Sequence, residues 1–159
     1  MSMNVDNFKI SPADLRINGA SVGGTTESGI VVTPAPDVHL HMSSQYGNTP
    51  VKASLIGMEL TIVAEMAEST KDNLVKAAAG ASSGDGKVKF GSVAGQALTP
   101  VVLDVVPFNG DESWKFRQAI PTDIGEITYS GTGERVYNVT FTALIDTSAP
   151  EGERLAYVS

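Results

Sequence analysis

Two stretches of this chain alternate apolar and polar residues with a period of two, and this pattern constrains the fold more than any other feature. Successive side chains of a strand point to opposite sides, so each stretch predicts a β-strand with a buried face. The apolar faces are Met58, Leu60, Ile62, Ala64 and Met66 in one stretch and Tyr137, Val139, Phe141, Ala143 and Ile145 in the other. The opposite face of residues 136–145 is itself half apolar, which favours a sandwich or a contact with another subunit.

Shorter strands are predicted wherever a β-prone run is bounded by Gly, Pro, Asn or Asp. These runs are residues 15–18, 30–33, 38–42, 87–91, 101–106, 114–120 and 124–129. Residues 130–133, Ser-Gly-Thr-Gly, predict a hairpin turn before the strand at 136–145.

One segment departs from the β pattern and predicts a short helix. Residues 71–79 hold three alanines, Ser69 or Thr70 can cap the start, and Gly80 can close the end. The glycine- and serine-rich residues 80–86 predict a mobile loop. We therefore expect a mainly β fold, a two-sheet antiparallel β-sandwich or barrel with one short flanking α-helix at about residues 70–79. It forms one domain over residues 1–159, with flexible arms at 1–10 and 150–159.

Composition excludes several classes of function. The chain has 159 residues and no cysteine, so disulfides, thiolate metal sites and cysteine nucleophiles are ruled out. Its net charge of -7 has the wrong sign for binding phosphate-rich partners. No apolar run predicts a signal peptide or a membrane span, so we expect synthesis in a cytoplasm and no membrane insertion.

The sequence offers little support for catalysis or cofactor binding. His39 and His41 share one face of the predicted strand at 38–42, but no third metal ligand can be identified, so an exposed polar face is the favoured interpretation. Glycine pairs lack the context of a phosphate loop, and the acid pairs lie in turns. Trp114 and Phe116 are best explained as core residues. We predict no catalytic, metal or cofactor site.

Several segments, taken in order, resemble the tail tube (major tail) proteins of long-tailed bacteriophages. The strongest are residues 45–51 (QYGNTPV), 56–62 (IGMELTI) and 67–70 (AEST) before the helix, and the closing stretch 134–146 (ERVYNVTFTALID). Residues 15–25 are similar to that family's first hairpin. Together these segments cover roughly two thirds of the chain.

The resemblance implies a structural virion protein and not an enzyme. Six copies are expected to close into a ring, and rings to stack into a hollow tube around a tape-measure protein. The tube would meet a tail tip protein and a tail terminator protein at its ends. It would assemble in the host cytoplasm and later conduct double-stranded DNA without binding it specifically. Tubes of contractile tails and of type VI secretion systems share this fold.

Two sets of residues are candidates for roles in such a tube. The acids Glu59, Glu65 and Glu126 are candidates for facing the lumen, with Thr61 and Thr128 on the same strand faces. The alternative for these acids is an ordinary solvated strand face. The loop between His41 and Pro50 is the candidate contact between rings, and its residues are Ser43, Ser44, Gln45, Tyr46, Gly47 and Asn48.

Two other functions remain open at this point. An Ig-like β-sandwich that decorates a virion or binds carbohydrate would carry exposed aromatic residues on its loops. An enzyme would use His39 and His41 as metal ligands. Polymers or hexamers in micrographs would favour the tube subunit, whereas metal analysis would test the enzyme.

Overall fold

The computed structural model describes residues 3–159, and the fold is mainly β, antiparallel, with one α-helix. The helix α1 spans Lys71–Ala77. The strands are β1 Ala13–Ile17, β2 Ala20–Ser21, β3 Thr25–Met42, β4 Pro50–Met66, β5 Ser82–Gly84, β6 Lys87–Lys89, β7 Val101–Pro107, β8 Trp114–Ile124, β9 Tyr137–Ala143 and β10 Ala156–Val158. The predicted fold class is confirmed.

The main sheet is open, with its strands in the order β2-β1-β7-β8-β9-β4-β3, and β10 also pairs with β8. Strand β1 approaches β3 across the sheet, so the two halves face each other in a sandwich-like layout around one core. The largest fully buried side chains come from five different strands: Phe116, Phe141, Leu15, Ile62, Met66, Leu103 and Val139. Strands β5 and β6 form a separate two-stranded sheet.

The two alternating stretches lie side by side in the sheet. Strand β4 pairs with β9 from Thr61↔Thr142 to Met66↔Tyr137. Their alternate apolar residues are buried over the paired part, as the period predicts. Ile145 lies beyond β9 and is exposed.

The helix is capped as the sequence predicts, but it is shorter. The Thr70 hydroxyl accepts a hydrogen bond from the Asn73 backbone N–H at 3.2 Å. The helix ends at Ala77, and Gly80 adopts φ +79° two residues beyond the cap Ala78. Asn73 is buried at its base, where its amide donates to the carbonyls of Val22 and Glu68 at 2.8 and 2.7 Å.

Residues 30–33 and 38–42 are in strand as predicted, but both belong to one long strand, β3. Three other predictions about local structure were wrong. The predicted loop at 80–86 contains β5 and a tight turn at Asp85 and Gly86, which have φ +54° and +69° and so suit the positive dihedrals of a hairpin. The predicted strand at 124–129 ends at Ile124, and residues 125–136 form a loop that replaces the expected tight turn.

The terminal arms are also more ordered than the sequence predicts. The C-terminal arm forms β10, and Ser159 exchanges two backbone hydrogen bonds with Ser113 at 2.8 and 3.0 Å. The N-terminal arm is tied to the body at residues 9–12. Residues 1–2 of the predicted arm lie outside the described residues.

Candidate interaction surface

The most distinctive feature of the fold is a two-stranded ribbon formed by the outer halves of β3 and β4. Strand β9 covers β4 only from Thr61 to Met66, so residues 50–60 pair with β3 alone. We call residues 34–60 the ribbon. At 3.3–3.4 Å per residue, it extends about 30 Å beyond the part of β4 that β9 covers.

One face of the ribbon continues the core-facing side of the sheet. In the body, Ile62 and Leu60 are buried opposite Val32 and Pro34. Directly opposed residues of an antiparallel pair lie on the same face, so the next pairs continue that side. These pairs are Pro36↔Met58, Val38↔Leu55 and Leu40↔Ala53.

This apolar face has no cover within the described residues. The exposed fractions are 44% for Met58, 49% for Val38, 47% for Leu40, 56% for Met42 and 64% for Leu55. Ile56, at the bulge between the pairs Asp37↔Gly57 and Val38↔Leu55, is 65% exposed. Contiguous apolar surface of this kind is typical of a protein interaction site.

The opposite face of the ribbon is polar and carries the two histidines. Their ring centroids lie 4.7 Å apart in an edge-to-face arrangement, and His41 Nε2 is 2.9 Å from Ser54 Oγ. The predicted polar face is confirmed. Among residues 3–159, no group of three or more His, Asp or Glu side chains is placed to hold a metal ion. Helices that are long and apolar enough to span a membrane are likewise absent from these residues.

The predicted lumen acids are placed in two different settings. Glu59 and Glu65 lie on the same face of β4, alternating with its core residues, and Thr61 lies between them as predicted. Glu126 and Thr128 do not share a strand face, because β8 ends before them and Gly125 bonds to the carbonyl of Asn138 at 2.9 Å. Glu65 also lines a shallow depression with Glu27 and Glu134.

The candidate inter-ring loop forms the tip of the ribbon. It connects β3 to β4 through a single 3-10 turn at Ser44–Tyr46, and His41, Met42 and Pro50 belong to the strands. The Ser43 hydroxyl accepts a hydrogen bond from the Gln45 N–H at 3.4 Å. Tyr46 is 64% exposed at the tip.

A second candidate surface is an apolar groove with a volume of about 800 Å³. Its walls come from the first half of β3, the end of β7, the start of β8 and the N-terminal arm. Ile30, Val32, Val105 and Trp114 provide apolar lining, with Ile10 and Phe108 at the rim. The Trp114 ring stacks on the buried Phe116 at a centroid distance of 5.7 Å. The predicted core role is thus confirmed for Phe116, whereas Trp114 also lines the groove.

The N-terminal arm is held at the groove by a small polar clamp. Lys9 Nζ lies 2.8 Å from both carboxylate oxygens of Glu112, and the Ser11 hydroxyl donates to Asp111. The bond to Glu112 raises the pKa of Lys9, and the same bond lowers the pKa of Glu112. The hydrogen bond from Ser11 lowers the pKa of Asp111. The arm therefore forms one wall of the groove and is joined to the body by these bonds.

The sequence predicted the polar face of the ribbon and the loop at its tip, but not the exposed apolar face or the groove. One signal was present: residues 38–58 contain no Asp or Glu while the chain carries -7. Depletion of charged residues is typical of the core of a protein interface. The groove has no comparable signal, because Ile10, Phe108 and Trp114 are distant in sequence.

Comparison with known proteins identifies no family for this chain. The chain matches no protein-family model and no curated protein at a significant level.

Proposed function

We propose that this protein is a structural subunit that polymerises with copies of itself, forming a tube like those of phage tails. One observation carries the proposal: the apolar face of the ribbon continues the core of the body, but no part of residues 3–159 covers it. A two-stranded ribbon is marginally stable in water by itself. A neighbouring copy that covers this face would stabilise both the ribbon and the assembly.

The size of the exposed face favours a polymer over a simple dimer. Burying a Val, Leu or Met side chain contributes about 1.5–3 kcal/mol, so five that are half exposed offer about 4–8 kcal/mol. Association costs about 4–15 kcal/mol in lost translational and rotational freedom. One ribbon contact therefore roughly offsets this cost, whereas several contacts per subunit in a ring or stack would exceed it.

The resemblance to tail tube proteins supplies the form of the polymer. The similar segments include the ribbon tip, part of β4, the residues before α1, and β9, as well as β1 and β2. On this proposal six subunits form each ring and rings stack around a tape-measure protein. Tail tip and terminator proteins end the tube within the virion.

An acidic subunit suits a conduit for DNA. Six copies at -7 carry 6 × -7 = -42 per ring. Carboxylates that face the bore repel phosphates, so a duplex would pass without sticking. Glu59, Glu65 and Glu126 are our candidates for this role, and we assign no catalytic step to the protein.

The test is electron microscopy of the purified protein over a range of concentrations. The wild type is expected to form rings or tubes, and deletion of residues 43–48 is expected to stop polymerisation while leaving a folded monomer. Leu40→Ser with Leu55→Ser should do the same, because both side chains lie on the exposed apolar face. Val93→Ser is the matched control, since Val93 is 81% exposed outside the ribbon. A wild type that stays monomeric at every concentration would refute the proposal.

A carbohydrate-binding module is the second candidate, and one observation favours it. Tyr129 is 78% exposed in the loop after β8, and the Arg135 guanidinium lies 5.0 Å from the centre of its ring. An exposed aromatic ring beside a cation offers a stacking surface for a sugar. Glycan binding that is lost in Tyr129→Ala, by a protein that does not polymerise, would favour this candidate.

A further inference from the structure

We propose that a depression around Arg135 binds the carboxylate group of an acidic sugar, such as a hexuronate. This inference rests on the second candidate function, carbohydrate binding, and adds the charged group that the sugar carries. The depression has a volume of about 560 Å³, and in the described part of the chain Arg135 is the one charged residue that lines it. It shares no residue with the ribbon or the groove, so ligand binding can be measured whether or not the chain polymerises.

A second arginine of this chain shows how such a group is neutralised. The Arg117 guanidinium lies 5.2 Å from the centre of the Tyr157 ring. It donates to the backbone carbonyl of Glu153 at 3.1 Å and to the carboxylate of the same residue at 2.9 Å. An aromatic ring and a carbonyl thus hold this guanidinium in place, and a carboxylate balances its charge.

Arg135 is held in the same way but lacks the carboxylate. Its guanidinium lies 5.0 Å from the centre of the Tyr129 ring and donates to the hydroxyl and the carbonyl of Ser69, both at 3.1 Å. Both of these acceptors are neutral. Arg135 forms no ion pair within residues 3–159, so its positive charge is the one that a carboxylate from a ligand would balance.

The Arg135 guanidinium also keeps one edge available for such a ligand. Ser69 accepts from Nε and Nη2, whereas Nη1 forms no hydrogen bond within residues 3–159. Nη1 and the second N–H of Nη2 form a fork of two parallel donors, which matches the two oxygens of a carboxylate. Because Ser69 and the Tyr129 ring already orient the guanidinium, little side-chain freedom is lost when the ligand binds.

The rest of the depression supplies groups that suit a sugar. Thr128 and Ser130 line it and carry hydroxyls that can bond to sugar hydroxyls. The Gly133 N–H donates to Ser130 Oγ at 3.0 Å, which holds this part of the loop in a turn. Tyr129 is 78% exposed, so its ring can pack on a sugar while it also contacts Arg135.

Probes with and without a carboxylate test the site. Amide NMR titrations of dilute, unpolymerised protein with glucuronate, glucose and acetate, at constant ionic strength, measure each dissociation constant. Glucuronate is expected to shift the amide signals of residues 128–133, and glucose to bind at least about tenfold more weakly because it leaves the Arg135 fork unfilled. Acetate should also bind more weakly than glucuronate, since it has no ring to pack on Tyr129. The net charge of -7 disfavours non-specific binding of both anions.

Variants of Arg135 test the role of the fork. Arg135→Gln should raise the dissociation constant for glucuronate by at least about tenfold and remove the preference over glucose. Arg135→Lys keeps the charge but loses the fork, so its affinity should be intermediate. Arg154→Gln is the matched control, because Arg154 is exposed, lies outside the depression and has no ion-pair partner in residues 3–159. Unchanged signals from the rest of the chain show that each variant is folded.

Each other outcome overturns a stated part of the inference. Equal binding of glucuronate and glucose would overturn the carboxylate site and leave carbohydrate binding as the second candidate. Equal binding of glucuronate and acetate would overturn the choice of a sugar. If no probe shifts residues 128–133, the inference and the carbohydrate candidate both fail, and the tube proposal is unaffected.

Discussion

The two halves of β4 both carry apolar side chains on the core-facing side of the sheet, but these side chains differ in burial. In the inner half, Ile62, Ala64 and Met66 are fully buried, and in the outer half Met58 and Leu55 are 44% and 64% exposed. Both halves pair with β3 throughout. The inner half differs because β9 lies on its other side and the curled sheet covers its apolar face.

This difference shows that apolar residues on one side of a strand predict an apolar face. They do not predict which part of the protein, or which partner, covers that face. A strand that projects with an apolar face is a liability in a monomer, because uncovered strand surfaces promote association. In a subunit of an assembly, the same surface is the interface. The contrast between the two halves therefore predicts different responses to the same kind of mutation.

The largest expected effect comes from truncating the core of the inner half. Phe141 is fully buried on β9, where it pairs with Ile62 of the inner half, so Phe141→Ala should lower the free energy of unfolding by about 3–5 kcal/mol. Leu55→Ala in the ribbon should change it by less than about 0.5 kcal/mol in dilute monomer, but should weaken polymerisation. Urea unfolding at low concentration measures both. Equal losses would mean that the ribbon packs on its own body.

A smaller effect is expected where the body depends on a buried amide. Asn73→Ala removes the donor to the carbonyls of Val22 and Glu68 and leaves them unpaired, which should cost about 1–3 kcal/mol. Asn48→Ala, at the exposed ribbon tip, is the control and should be nearly neutral. The folded fraction of Asn73→Ala should polymerise normally. A selective loss of polymerisation would place α1 in the interface.

The predicted lumen acids are expected to affect function more than stability. Glu59→Lys, Glu65→Lys and Glu126→Lys together should leave the tube intact, since substitutions at surface positions usually change stability by less than about 0.5 kcal/mol each. Phosphates would then bind the bore, and DNA release from particles with the variant subunit should slow. Release at the normal rate from intact particles would contradict a lumen position.

Much of the body could be predicted from sequence because its signals are local. The period-two alternation and the Thr70 cap each depend on residues that are close in sequence. The alternation is confirmed over Leu60–Met66 and Tyr137–Ala143, and the cap is confirmed at the start of α1, which ends at Ala77. The Asp85-Gly86 turn is equally local, but residues 80–86 predict a loop because they contain no side chain able to anchor a core.

The ribbon was harder to predict because its continuity depends on its place in the sheet. Pro34 and Pro36 interrupt the pattern, and a central strand would not tolerate them because they cannot donate hydrogen bonds. Strand β3 is an edge strand, so one side of it needs no donors, and prolines two residues apart present their nitrogens to the same side. The groove could not be predicted, since it depends on the curl of the sheet and on where the N-terminal arm is tied.

The smallest expected effect concerns the clamp that ties this arm to the groove. The pKa values of Asp111 and Glu112 are lowered in the folded protein. The clamp therefore contributes its full stability at pH values above the ordinary pKa range of carboxyl groups, and this stability is lost as the pH falls through the lowered pKa values. The raised pKa of Lys9 means that its contribution is lost only as pH rises through that raised value. The clamp should therefore hold between about pH 5 and pH 10.

Backbone NMR relaxation of residues 9–11 should show an ordered arm at pH 7 and a more mobile one once the pH falls below the lowered carboxyl pKa values, with Lys9→Gln mobile at both pH values. No change in arm mobility between these pH values would show that backbone contacts alone, such as the hydrogen bond from the Phe108 N–H to the Pro12 carbonyl at 3.0 Å, hold the arm in place.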